Sequence, residues 1–200
     1  MTAVFSIFCC EVKPETYDFK SIDATLKRII GKELCQGDIH CHFVLEDIYS
    51  QDDTVAISFD SLAIVVSTMY SISYSFNRNM PGIQSVYAKS PPSDVCEKIT
   101  DIIIASNKDY SVKYPAGSNL KGIISVRDNN NDVFVGNTTI DDMIENLSLW
   151  NFREFWRDAH LLYTFNTPPD TEKVHEITIT YKTEKNQVHT TVIKNVMILK

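Results

Sequence analysis

Three residues on one stretch of chain, Asp38-x-His40-x-His42, could do chemistry together. On a β-strand, residues two apart share a face, so a carboxylate and two imidazoles would project side by side. Neutral imidazole and carboxylate suit zinc or a similar divalent ion. The bland alternative is that the three form the solvent face of a strand. Cys41 lies between the two histidines, but alternation sends its thiol to the opposite face, where neither imidazole can activate it.

The five residues Asp38-Ile-His-Cys-His42 resemble the strand-end metal motif of amidohydrolase-like and related metal-dependent hydrolases. The resemblance implies hydrolysis by a metal-activated water, with Asp38, His40 and His42 as ligands and His175 or His189 as candidate additions. The rest of the chain departs from that family. The motif should sit on the first strand of a barrel, and the alternating strand and helix series of a barrel is missing.

Other patterns are weaker. Asp128-x-Asn130-x-Asp132 opens like a calcium loop, but Val133 stands where the bend needs glycine and Thr139 where a bidentate Glu should close the shell. His189-x-Thr191 is a single copy of a spacing that two-histidine phosphoesterases use in pairs. The adjacent carboxylates Glu46-Asp47, Asp52-Asp53 and Asp141-Asp142 read as turns, caps and solvated surface, because nothing in the local pattern buries one member of a pair.

Composition narrows the function classes. The 200 residues carry a formal net charge of −7, with 44% hydrophobic and 22% charged residues, which is ordinary globular usage and fits one domain. An acidic chain without a basic run disfavours nucleic acid, whose binding rests on Lys and Arg neutralising phosphates. Only six glycines are present, and neither a P-loop nor a dinucleotide-binding glycine pattern occurs. Five cysteines without Cys-x-x-Cys spacing indicate reduced thiols. The N-terminus lacks a signal-peptide pattern, and Leu62 to Phe76, the nearest approach to a membrane span, is interrupted by Ser and Thr. A cytoplasmic protein with no cofactor and no membrane contact is expected.

These pieces must be positioned by secondary structure. Met1 to Cys10 reads as a strand. Phe19, Ile22, Leu26, Ile29 and Ile30 recur at helical spacing behind a cap at Asp18 or Ser21. Asp38–Glu46 and Thr54–Phe59 alternate and should pair as a hairpin, while Leu62 to Phe76 fits both periods and leans to strand. Ser93 should cap a helix burying Val95, Ile99, Ile102 and Ile103. Gly122–Val126 and Val133–Val135 suggest a second hairpin, and Thr139 with Asp142 a capping box for a short helix burying Ile140, Ile144 and Leu147. Both tryptophans lie between Trp150 and Phe165, where Phe152, Phe155, Trp156, Ala159, Leu162 and Tyr163 line one face of an expected helix. Val174–Lys182 and Val188–Ile193 close the chain as a hairpin. The fold class expected is α+β: a mostly antiparallel sheet built from hairpins and covered by three to four helices.

Function follows by elimination. The economical reading is a non-enzymatic protein-binding protein, an acidic inhibitor of the immunity-protein or phage and viral antagonist type that opposes a basic partner. Its contact residues would be Glu46, Asp47, Asp52, Asp53, Asp141, Asp142 and Glu145, with Trp150 and Tyr163 as aromatic anchors. The alternatives are the small metal-dependent hydrolase described above and a structural subunit of a larger assembly.

Overall fold

The computed structural model describes residues 14–32, 43–48, 53–74, 98–128, 138–149 and 160–200. These residues form a mostly β structure of two packed sheets, with one α-helix and one short 3-10 turn, in place of the expected α+β fold with three to four helices.

The first sheet contains β1 (Pro14–Lys32), β2 (Phe43–Asp47), β4 (Leu62–Tyr74), β6 (Ile124–Asp128), β7 (Thr138–Thr139) and β8 (His160–Phe165), in the order β2-β1-β4-β8-β6-β7. The second contains β3 (Val55–Ser58), β5 (Ile99–Ser106), β9 (Val174–Thr183) and β10 (Val188–Leu199), in the order β3-β10-β9-β5. Neighbours are antiparallel throughout, except that β3 runs parallel to β10. The helix α1 (Ile140–Leu149) adds Ile140 and Met143 to the core between the sheets.

Period-two alternation builds that core. On β9, His175, Ile177, Ile179 and Tyr181 point inward, and Ile102 and Ile104 of β5 do the same. Opposite them, Ile22 on β1, Leu62, Ile64 and Val66 on β4, Leu161, Tyr163 and Phe165 on β8, and Ile124 and Val126 on β6 complete one continuous cluster. The Tyr163 and Tyr181 hydroxyls hydrogen-bond to each other across the interior, joining the two sheets through their side chains. Burial raises the pKa of both phenols, so both stay neutral.

A second, smaller cluster lies on the other face of the first sheet, where Ala63, Val65 and Leu162 pack with Ile29, Phe43 and Leu45. The Arg127 guanidinium on β6 sits 4.3 Å from the centre of the Phe43 ring on β2. Four strand spacings separate β2 from β6 in the sheet order, roughly 19 Å if the sheet were flat. The contact therefore requires the sheet to coil until this face is concave, and the cation–π pair closes the trough.

Three expected helices do not form where the chain is described. Residues 19–30 belong to β1: the inward set Ile22, Ala24 and Leu26 is as well served by a period of two, β4 pairs with β1 as far as Arg28, and β2 joins on the other side from Lys27. Ile99, Ile102 and Ile103 lie on β5, where a run of three β-branched isoleucines favours the extended chain. Val95 lies outside the described residues. The aromatic helix is contradicted over residues 160–165, which form β8 between β4 and β6. There Leu161, Tyr163 and Phe165 share one face and Leu162 takes the other. Trp150, Phe152, Phe155, Trp156 and Ala159 lie outside the described residues, as does Met1 to Cys10.

The expected hairpin between Asp38–Glu46 and Thr54–Phe59 is replaced by strands in different sheets, β2 against β1 and β3 against β10. The strand over Leu62–Tyr74 and the closing hairpin are present, the latter turning through Asn186 at φ 61°. So is the capping box: the Thr139 hydroxyl donates to the Asp142 carboxylate at 2.6 Å and accepts the Asp142 N–H at 3.1 Å. β6 pairs with β7 and β8, and residues 133–135 lie outside the description.

The tyrosine pair gives a direct test. Tyr163→Phe alone should leave the Tyr181 hydroxyl unsatisfied in the core and destabilise by about 1–3 kcal/mol. The Tyr163→Phe, Tyr181→Phe double variant should recover most of that loss in urea denaturation, because no polar group is then stranded.

Candidate functional site

Two connections that cross between the sheets meet at one end of the stack. The loop from β5 to β6 (residues 107–123) and the loop from β8 to β9 (residues 166–173) leave paired strands at the same end, so they lie side by side. Loops held by a rigid scaffold are where binding residues concentrate.

A network of hydrogen bonds fixes both. The Tyr110 carbonyl accepts the Asp170 N–H at 2.9 Å, and the Asp170 carboxylate accepts the Val112 N–H at 2.7 Å. The Tyr110 hydroxyl donates to the Thr167 carbonyl at 2.6 Å, and its ring stacks on Phe165 with centres 5.4 Å apart. Burial raises the Tyr110 pKa. Asp109 accepts the Ala116 N–H at 2.9 Å and pairs with Lys173 at 3.5 Å. The Ala116 bond first, and Lys173 second, hold the Asp109 carboxyl below its usual range. Gly117 turns the loop at φ 79°, a region that costs any residue with a Cβ, and donates its N–H to the Ser106 carbonyl at 2.7 Å. Val112 stands at the tip, 97% exposed.

Below the loops lies a buried polar pair. His175 Nδ1 is 2.7 Å from Ser106 Oγ, and that oxygen also accepts the Lys108 N–H at 3.1 Å. Either histidine tautomer satisfies the Ser106 contact, and Nε2 has no partner among the described residues. A serine beside a histidine raises the question of nucleophilic catalysis. Here Ser106 is 4% exposed and His175 fully buried, so the hydroxyl has no path to a substrate in this conformation. The pair acts as a strut between β5 and β9.

The acidic residues singled out from the sequence occupy other places. Glu46, Asp47, Asp53, Asp141, Asp142 and Glu145 are all exposed. Glu46 and Asp47 lie on β2, where Glu46 pairs with Arg28 at 3.0 Å and Asp47 with Lys27. Asp141, Asp142 and Glu145 lie on α1, which follows β7 at the opposite edge in the sheet order, and Asp141 pairs with Lys121 at 2.8 Å. The hydrogen bond to Asp141 raises the Lys121 pKa. Glu46 and Asp47 thus form a β2 group and Asp141, Asp142 and Glu145 a helix group, each partly offset by lysine or arginine, while Asp53 lies two residues before β3.

Tyr163, nominated as an anchor, is fully buried and bonded to Tyr181, so it presents nothing to a partner. Trp150, Asp52, Asp38, His40 and His42 lie outside the described residues. Of the two further histidines, His175 is buried, and His189 packs its ring 4.6 Å from that of Phe19. Among the described residues no group of three or more His, Cys, Asp or Glu is placed to hold a metal ion.

Sequence reading missed the double loop. Its signals were present in the turn-forming runs Tyr114-Pro115-Ala-Gly117 and Pro168-Pro169-Asp170. His175 could also have been assigned inward, since it shares its parity on β9 with Ile177, Ile179 and Tyr181. No protein-family model, curated protein or solved structure matches this chain.

Burial lowers the His175 pKa from its ordinary 6.5, with Lys173 adding to the effect. The fold therefore favours neutral imidazole, and the unfolded chain takes up the proton first as pH falls. The stability this group contributes is present above about pH 6.5 and is lost as pH drops below that value toward the folded pKa. Urea denaturation from neutral to mildly acidic pH should show the loss, and His175→Phe should flatten that part of the profile. Gly117→Ala should cost about 1 kcal/mol in the same assay through its backbone conformation.

Proposed function

We propose that this chain acts by binding another protein, as a cytoplasmic acidic inhibitor of the immunity-protein or antagonist type whose partner carries a basic surface. One observation carries the reading. Every described acidic candidate is exposed on a hydrogen-bonded two-sheet scaffold, while the groups that resemble reactive machinery, Ser106 with His175 and Tyr163 with Tyr181, are enclosed in its packing. A rigid surface suits inhibition, because little ordering entropy is lost when it docks.

The ion pairs temper the field without removing it. Lys27, Arg28 and Lys121 offset Asp47, Glu46 and Asp141, and the chain as a whole remains at −7. Such a field accelerates encounter and selects against acidic partners more than it sets affinity. Among the described residues, no helix is long and apolar enough to cross a membrane.

Immobilised protein incubated with lysate of the source cells should retain a basic protein at low salt and release it as ionic strength rises. Two variants locate the contact: Glu46→Lys with Asp47→Lys on β2, and Asp141→Lys with Glu145→Lys on the helix. Loss of capture in one of them identifies the docking group, and capture unchanged in both would overturn the acidic-surface reading. Elemental mass spectrometry of the purified protein separates the hydrolase reading. Near-stoichiometric zinc, manganese or iron that disappears in the His40→Ala, His42→Ala variant would replace inhibition by metal-dependent hydrolysis.

A further inference from the structure

His175 sits where the second sheet ends and the two loops begin. It is the first inward residue of β9, fully buried, and it lies beyond Ser106 and Ile177, the last pair between β5 and β9. On that side its cover comes from the loops. The Tyr110 ring stands 6.0 Å away between centres, and the same residue binds the second loop through its hydroxyl to Thr167 and its carbonyl to Asp170. Ser106 is the clasp. Its Oγ lies 2.7 Å from His175 Nδ1 and accepts the Lys108 N–H at 3.1 Å, while its carbonyl accepts the Gly117 N–H at 2.7 Å. Residues 108–117 are thus tied at both ends to one residue.

Neutral imidazole fits this setting and imidazolium does not. A protonated ring carries N–H on both nitrogens: Nδ1–H would donate to Ser106, and Nε2–H would be buried with no acceptor among the described residues. The surrounding charges give no relief. The first loop brings Lys108, Asp109 and Tyr110 to this end, the second brings Asp170, Glu172 and Lys173, and Glu176 follows on the outward face of β9. Asp109 is engaged by Ala116 and Lys173, and Asp170 by Val112. The neighbour on β10 is Val196, which is uncharged. The charge that acts on the imidazole is Lys173, and it repels a second cation.

We propose that the double loop is an acid-operated latch, in which protonation of His175 releases residues 108–117 and 166–173 from the end of the stack while both sheets stay paired. The ladders permit this separation, because β5 no longer pairs with β9 at His175 and the pair of His175 with Val196 lies outside the loops. Two anchors remain. Asn107 is bonded both ways to Glu176, at 3.0 and 2.8 Å, and the Leu120 N–H is held by the Ile104 carbonyl at 2.7 Å. Once the loops lift, the imidazole meets water and takes its proton at the ordinary value of 6.5. Each pH unit below that shifts the opening equilibrium up to about tenfold, until the closed form also takes up the proton. The latch acts whatever the chain binds.

NMR hydrogen exchange on the full chain between about pH 7.5 and pH 5, corrected for the intrinsic pH dependence of exchange, tests it. The amides of Lys108, Val112, Gly117 and Asp170 should lose protection up to about tenfold per pH unit below 6.5, with those of Ile177, Ile179 and Tyr181 still protected at the acid end. In His175→Gln, which keeps a hydrogen-bonding side chain but does not titrate in this range, loop protection should be independent of pH. Ring signals of wild-type His175 give a second reading that needs no variant: the ring should take up its proton together with the shift changes of the loop amides. Loop protection that stays constant to the acid end, that falls equally in His175→Gln, or that is lost together with the protection of β9 overturns the latch. So does a ring that protonates while the loop amides stay in place.

Discussion

The burial of two apolar sheet faces against each other is the constraint from which the rest of this structure follows. Each inward position on β9, β5, β4 and β8 must be filled by a side chain that tolerates removal from water, and each polar atom placed there must find a partner. The chain meets the first demand with isoleucine, leucine and valine. It meets the second with paired groups: Tyr163 with Tyr181 at the centre, Ser106 with His175 toward one end, and Tyr110 with the Thr167 carbonyl beside it. The Tyr163–Tyr181 bond crosses between the sheets with a defined geometry that apolar contacts lack, so it constrains how they register, while Ser106 and His175 tie β5 to β9 within one sheet.

The same constraint shapes the loop end. Connections that pass from one sheet to the other must cross the edge of the core, and two of them do so side by side. Asp109, Tyr110 and Asp170 convert the pair into one hydrogen-bonded body. Rigidity there is a consequence of packing, and it gives the chain a firm surface at the loops as well as on the outer sheet face. The acidic side chains on β2 and α1 sit on the same framework, so their charges are held at fixed positions.

Legibility varied with the kind of signal. The closing hairpin was readable because Val174–Lys182 alternates without interruption, and the cap of α1 because Thr139 and Asp142 interact through local bonds alone. β1 was not readable, since Phe19, Ile22, Leu26 and Ile29 satisfy a helical period while Ile22, Ala24 and Leu26 satisfy an extended one. β8 was misassigned because Leu162 and Tyr163, adjacent in sequence, were given one face of a helix, whereas in the strand they face opposite clusters. β4 pairs with β1 through the misread stretch, and β8 is paired on both sides by β4 and β6; such cross-strand partners outweigh a few tenths of a kilocalorie per residue of local preference. The site followed the same pattern: exposed carboxylates were identified correctly as surface, while the buried pair and the double loop depend on residues some seventy positions apart, such as Ser106 and His175.

By itself, the sequence determined what is local. Composition established an acidic chain without a nucleotide loop, alternation assigned β9 and β10, and three-residue spacing set the start of α1. The tertiary structure alone decided that β2 and β3 part into different sheets, that β3 runs parallel to β10, and that Tyr163 meets Tyr181. The physical reason is that a strand's side-chain period records which faces differ, while its partners are chosen by long-range pairing whose energy appears only after distant segments meet.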